Sequence, residues 1–408
     1  MFEDRKKSTF GLMALALSAF AIGTTEFISV GLLPMIAEDL NISVTTAGLT
    51  VSLYAIGVMV GAPVMTSLTS NMSRKSILLW IMVVFIIGNT IAATATTVTV
   101  LLVARVVSAL AHGVFMAIGS TIAADLVHPT KRASAIAIMF TGLTVATVTG
   151  VPFGTFLGQL FGWRIAFVAI VVIGIIAFIG NSLLVPSNLR QAARTTFRDQ
   201  LKLVKSGRLL LVFAITAFGY GGTFVVFTYL SPLLQEVTGF KSVTVTLILL
   251  VYGIAIAIGN TIGGKLANRN PVRALFYMFA IQAVVLFTLL FTVPFKTAGL
   301  ITIILLGLFA FMNVPGLQVY VVTLAERFVP SAVDVASAIN IAAFNAGIAI
   351  GSFLGGAVTA SIGIIHTTWV GGIMVIIAIL LTGLSGRLEK NEEKASTSEQ
   401  NFKHLKAN

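Results

Sequence analysis

Residues 10–33 hold a single charged side chain, Glu26, and apolar runs of similar length recur at 77–95, 163–185 and 364–384. A helix crossing a bilayer needs ~20 predominantly apolar residues, which core helices of water-soluble domains rarely supply. Lipid cannot satisfy backbone polar groups, so such runs must be helices or strands of a closed barrel. Barrel strands alternate over ~10 residues. These runs are about twice that length without alternation, so they are read as helices. The composition agrees: 57% of residues are hydrophobic and 10% charged, against about a quarter charged in an average soluble domain.

Spans are predicted at 9–33, 45–68, 77–97, 99–124, 133–160, 163–185, 209–235, 242–266, 272–294, 297–324, 332–360 and 364–386. The first is read as a span and not a cleaved leader: it is too long for a leader's apolar region and carries a carboxylate. Basic residues test the count. With the N-terminus in the cytoplasm, the inside segments hold Arg5, Lys6, Lys7, Arg74, Lys75, Lys131, Arg132, Lys265, Arg269, Arg273 and Arg327, and the outside loops hold Arg164, Lys241 and Lys296. That asymmetry is what membrane insertion selects. It also explains the net charge of +12 without a nucleic-acid partner. There is no cysteine, which excludes disulfides, thiolate metal sites and cysteine nucleophiles. No phosphate-binding glycine loop and no metal-ligand spacing is present, so neither a cofactor nor a metal is expected.

The chain repeats itself at a shift of about 200 residues. Tyr54, Gly57 and Gly61 correspond to Tyr252, Ala255 and Gly259, and Gly150, Gly154 and Gly158 to Gly347, Gly351 and Gly355. The expected architecture is therefore all-α, with two six-helix pseudo-symmetric halves at 1–186 and 209–386. A linker at 187–208 joins them, and a disordered tail follows at 387–408. In the linker, Phe197, Leu201 and Val204 share one helical face and Arg198, Lys202 and Lys205 the other, the pattern of a short interfacial helix. The glycine ladders, the first interrupted by Pro152, permit close helix approach, either as plain packing or as a smooth surface between the halves.

Glu26 is the one acidic residue of fourteen placed well inside a span. An ionised carboxylate at mid-membrane costs about 2.5–3.5 kcal/mol or more, so it calls for a function or a partner. One function is to load and release a proton as a cavity changes sides. Arg105, in the fourth span, is the expected partner: both residues lie about seven or eight positions from the same end of their spans, at similar depth. His112 shares a helical face with Arg105. It is either a relay or substrate contact, or a hydrogen-bonded buried imidazole. Asp125 and Glu326 read as salt-bridge partners at span ends. Tyr220, Tyr229, Asn313, Gln318, Asn340 and Asn345 are candidates for a substrate cavity in the second half, or for bonds between helices.

Three stretches carry a family resemblance: Thr25-Glu26-Phe27 with Gly31-Leu32-Leu33-Pro34; Ala104-Arg105 leading to Ala111-His112-Gly113; and Gly150-Val151-Pro152-Phe153-Gly154. The chain resembles the major facilitator superfamily over residues 9–386. More narrowly it is similar to the twelve-helix drug:proton antiporter branch, with its bacterial sugar-efflux, purine-efflux and chloramphenicol-resistance members. The superfamily's loop motif G-x-x-x-D-R-x-G-R-R is degraded here, with Ser70 for the aspartate and Ser73 for the second glycine ahead of Arg74 and Lys75. The second copy keeps Gly264 and Arg269 but has Asn268 for the aspartate. The resemblance implies a non-enzymatic, proton-driven exporter of a small organic solute (drug, sugar or nucleoside), working by alternating access as a monomer in the cell membrane. Glu26 and Arg105 would be its proton-coupling pair. The alternatives are a facilitator or uptake transporter of the same fold, and a lipid flippase or membrane sensor.

Overall fold

The computed structural model describes residues 2–68, 72–128, 132–187, 203, 205–267, 270–329 and 333–407. Among them there is no strand. The helices are α1 (Phe2–Asp39), α2 (Val44–Leu68), α3 (Arg74–Ala93), α4 (Val98–Asp125), α5 (Arg132–Phe161) and α6 (Trp163–Leu184) in the first half. The second half has α7 (Gly207–Phe227), α8 (Leu230–Glu236), α9 (Ser242–Ala267), α10 (Pro271–Thr292), α11 (Lys296–Ala310), α12 (Val314–Phe328), α13 (Val333–Ser361) and α14 (Thr367–Ala407). Among the described residues twelve stretches are long and apolar enough to cross a membrane, and they coincide with the expected spans. An even number of crossings puts both chain ends on one face, called here the near face. The opposite one is the far face.

Local chemistry sets the helix boundaries. Ser73 and Thr97 accept hydrogen bonds from the backbone N–H three residues on, starting α3 and α4. Asn270 does the same ahead of Pro271 for α10. Such caps satisfy N–H groups that lack an intrahelical partner. At the far face, α5 turns into α6 at Gly162 (φ 88°) and α13 turns toward α14 at Gly363 (φ 103°). Both backbones lie in the left-handed region, which costs least without a Cβ. These two turns are a further trace of the repeat.

Two spans are broken, and each break precedes a proline. The seventh interrupts at Thr228 and Tyr229 between α7 and α8, and the tenth at Phe311–Asn313 between α11 and α12. Pro232 has no N–H for the Thr228 carbonyl four residues back, and Pro315 none for that of Phe311.

Each glycine ladder packs inside its own half. Gly150, Gly154 and Gly158 of α5 face Thr24, Ile28 and Leu32 of α1. Gly347, Gly351 and Gly355 of α13 face the carbonyls of Ala217, Gly221 and Val225 on α7. The packing reading therefore holds, and the ladders do not form the surface between the halves. Large apolar side chains such as Trp80, Leu183, Phe291 and Leu380 cover the outside. That surface suits lipid and not water.

The halves meet toward the far face. Thr45 donates to the carbonyl of Gly356 (3.3 Å), Ser52 and Ser352 share a hydrogen bond (2.7 Å), and Gln159 donates to the carbonyl of Ser242 (2.7 Å). α2 packs along α13 and α5 along α9, whereas among the described residues no comparable packing joins α4 to α12.

The chain after Arg387 differs from the expected disordered tail: α14 continues to Ala407. No glycine or proline follows Gly386, and Leu388, Glu389, Lys390 and Glu392 are good helix formers. The extension is also tied down, because Glu392 sits 3.4 Å from Arg208 and 3.2 Å from Arg327. Apart from Leu203 and Lys205, the interfacial helix expected around 197–205 lies outside the described residues, as does Arg269.

Candidate functional site

Arg105 is the anchor of the first half. It is 1% exposed, deep in the bundle. Its Nε donates to the carbonyl of Thr50 (3.0 Å), its Nη1 to that of Thr25 (2.7 Å) and its Nη2 to that of Glu26 (3.3 Å). The guanidinium carbon also lies 4.0 Å from the centre of the Tyr54 ring. One side chain thereby fastens α1, α2 and α4. A planar fork of donors suits this task, and an ammonium does not.

Arg105 is placed beside Glu26, but in this state it does not pair with its side chain. The guanidinium bonds the backbone of Glu26 and not its carboxylate. Among the described residues the Glu26 carboxylate makes no ion pair with Arg105. The Glu26 side chain is partly exposed between the halves. It lies within Coulombic range of Arg105 and Tyr54 in the first half and of Tyr220 in the second. The reason is geometric: where α1 and α2 pass α4, mid-helix carbonyls turn a second lone pair toward the guanidinium and take up its donors.

His112 is buried, and its Nδ1 shares a 3.2 Å hydrogen bond with the Tyr54 hydroxyl. The hydrogen-bonded imidazole is thus present, and Tyr54 joins Arg105 to His112. Thr25 donates to Asn89 Oδ1 (3.3 Å), pinning α1 to α3 beside Glu26. Tyr54, Thr25, Thr50 and Asn89 were not among the expected site residues. Tyr54 was noticed for its repeat position; its being four residues from Thr50 on α2 was the available signal.

The second-half candidates divide. Asn340 donates to Gln318 Oε1 (2.8 Å) and accepts from Thr216 (2.8 Å), while Gln318 also donates to Ser337. Asn313 donates to Gln282 (3.0 Å), which donates to Thr223 (2.6 Å). Asn345 donates to the carbonyl of Ile341 (3.0 Å). Asn313, Gln318 and Asn340 bond between helices of this half, whereas Asn345 bonds only within α13, and among the described residues the Oδ1 atoms of Asn313 and Asn345 are buried without a partner. Tyr229 is at the far seam, its hydroxyl donating to the carbonyl of Ser352 (3.3 Å). Tyr220 is the one of the six that lies within Coulombic range of Glu26, in an aromatic group with Phe224, Phe311 and Phe344 at centroid distances of 5.0, 5.3 and 4.9 Å.

Near the near face, Arg74 pairs with Asp125 at 2.5 Å, the span-end salt bridge expected for Asp125. Lys75 donates to the carbonyl of Ser182 (2.8 Å). These residues brace α3, α4 and α6. The degraded loop motif thus keeps a charge pair despite losing its aspartate. Among the described residues no three acidic or histidine side chains gather to hold a metal.

Twelve spans in two repeats, meeting around a buried polar centre, define a multi-pass membrane transporter. The sequence profile of the Major Facilitator Superfamily matches residues 15–328, and the chain belongs to that family. It is 72% identical to the MFS-type transporter YtbD of Bacillus subtilis (strain 168), over 97% of this chain and all of that one. It is 38% identical to a chloramphenicol resistance protein of Streptomyces lividans, over 65% of this chain and 68% of that one. Among solved structures, the fold is similar to a bacterial homologue of the lysosomal transporter Spinster. There the TM-score is 0.72 at 15% identity, covering 93% of this chain and 97% of that one.

Proposed function

We propose that this chain exports a small organic solute in exchange for protons, by alternating access across the cytoplasmic membrane, with both chain ends in the cytoplasm. The observation that carries the reading is Glu26: a mid-span carboxylate between the halves, partly exposed, and not ion-paired to the arginine beside it. A carboxyl kept in that setting at a cost of kilocalories has a use for its proton. Arg105 holds the backbone on which it rides. The distribution of basic residues supports the orientation, and the name of the chloramphenicol resistance relative supports efflux. Gln318 and Asn340 bond to one another, Asn313 bonds Gln282 through its amide nitrogen, and Tyr220, within Coulombic range of Glu26, is grouped with phenylalanines. This favours an aromatic, drug-like solute over a sugar. One charge crossing ~100 mV supplies ~2.3 kcal/mol. At about 1.4 kcal/mol per tenfold, one proton sustains roughly a 50-fold gradient of a neutral solute.

The test is accumulation in cells expressing the chain, over a panel of amphenicols, cationic dyes, nucleosides and sugars. Export predicts that one member accumulates less than in control cells, and that a protonophore removes the difference. Raised accumulation identifies an uptake transporter, and a difference that survives the protonophore identifies a facilitator.

A further inference from the structure

The break in the seventh span touches two places that the transport reading leaves unconnected. On one side is Phe227, the last residue of α7. Its ring lies 6.4 Å from that of Phe27, which itself lies 6.3 Å from Phe311, where the tenth span breaks. Phe227 and Phe311 are 6.0 Å apart, so one ring from the first half closes a triangle with both broken spans of the second. Phe27 directly follows Glu26 on α1. On the other side is Tyr229, two residues on and fully buried. Its hydroxyl occupies a notch between Gly48 of α2 and Gly356 of α13, one glycine from each half. A Cβ at either glycine would fall inside contact distance of that hydroxyl. The neighbouring bonds Thr45–Gly356 and Ser52–Ser352 close the same seam.

We propose that Tyr229 is the latch of the far gate, and that the broken turn Phe227–Tyr229 ties this latch to Phe27 and so to Glu26. Tyr229 is then a positioning residue for transport and not a substrate contact. The missing hydrogen bond at the Thr228 carbonyl lets the chain bend here, so the short segment Phe227–Tyr229 can swing as one piece against the rest of the span. A shift of α1 at Glu26 displaces Phe27, the turn follows, and the hydroxyl leaves its notch; opening the gate acts in reverse. The ionisable groups around Glu26 are Arg105 on α4, Tyr54 on α2 and Tyr220 on α7, with His112 behind Tyr54. The link to Glu26 rests on the proton-coupled reading above; the latch does not.

The chain has no cysteine, so Ser52→Cys, buried at the seam, gives a single thiol; because it also weakens the Ser52–Ser352 bond, it is the parent for every comparison. The readout is its rate of labelling by a membrane-impermeant maleimide added from the far side, followed across neutral pH in proteoliposomes and divided at each pH by the rate for the same thiol in denatured protein, because the thiolate fraction itself rises with pH. The added methyl of Gly48→Ala overpacks the notch and should speed labelling by about tenfold. Tyr229→Phe alone, which deletes the hydroxyl and leaves the notch empty, should speed labelling too. A rate equal to the parent's in either folded variant overturns the latch. Phe27→Leu, which keeps apolar bulk but loses the ring, should flatten the pH profile; a profile equal to the parent's overturns the link. A flat parent profile, or a slope that survives Glu26→Gln, overturns the proton role of Glu26 and the link with it, while the Gly48–Tyr229 pair still decides the latch.

Discussion

Arg105 Nη1 stands 2.7 Å from the carbonyl oxygen of Thr25, so the one arginine at mid-depth in the first half is bonded to backbone and not to the carboxylate beside it. In this state Arg105 holds the frame, which leaves Glu26 available for the proton role proposed above.

Replacing Arg105 should cost stability whatever the charge of the substitute. Arg105→Lys cannot reach the carbonyls of Thr25, Glu26 and Thr50 together. Hydrogen bonds from charged donors contribute about 1.5–3 kcal/mol each, so a loss of several kcal/mol is expected for both Lys and Ala. Thermal unfolding of the purified protein checks this. A lysine variant as stable as the parent would contradict it.

Glu26→Gln should behave in the opposite way. The carboxylate has no ion-pair partner to lose among the described residues, and the amide is close to it in shape. Its stability should not fall below the parent's, and should rise where the parent carboxyl is ionised, because the burial cost is then relieved. Transport should lose its pH dependence at the same time. A large drop in melting temperature would show the residue to be structural.

Gly351→Val should impair assembly of the second half, not transport by an assembled protein. The position lies against the backbone of Gly221, which cannot move aside as a flexible side chain can. Overpacking there costs about 1–3 kcal/mol or more. Size-exclusion profiles and melting curves check this; a well-folded variant with normal stability would contradict it.

Glu392→Ala should loosen the end of α14. The carboxylate reaches Arg208 and Arg327 at once, but it is partly exposed. The loss should be modest, about 1 kcal/mol or less, and should shrink further in high salt. Faster proteolysis after Arg387 in the variant is the readout, with unchanged cleavage the contrary result.

The spans were legible because lipid imposes one rule on every one of them, and the repeat because Gly150/Gly347 and Tyr54/Tyr252 hold matching places. The breaks in the seventh and tenth spans were equally available in Pro232 and Pro315, which hydropathy alone passes over. What the sequence did not reveal is direction. Depth placed Arg105 beside Glu26, but nothing in a list of residues says whether a guanidinium turns to a carboxylate or to three carbonyls. The same holds for Asn313, Gln318 and Asn340, whose amides suit substrate and neighbouring helices equally well. The ladder glycines showed that something approaches closely; which helix does so depends on the packing of the whole half.

The most direct test is collapse of a pH gradient in everted vesicles on adding the exported solute, compared between the parent chain and Glu26→Gln. The account predicts that the solute discharges the gradient through the parent and not through the variant. Equal responses from both would contradict it, and would make Glu26 a bystander to proton movement.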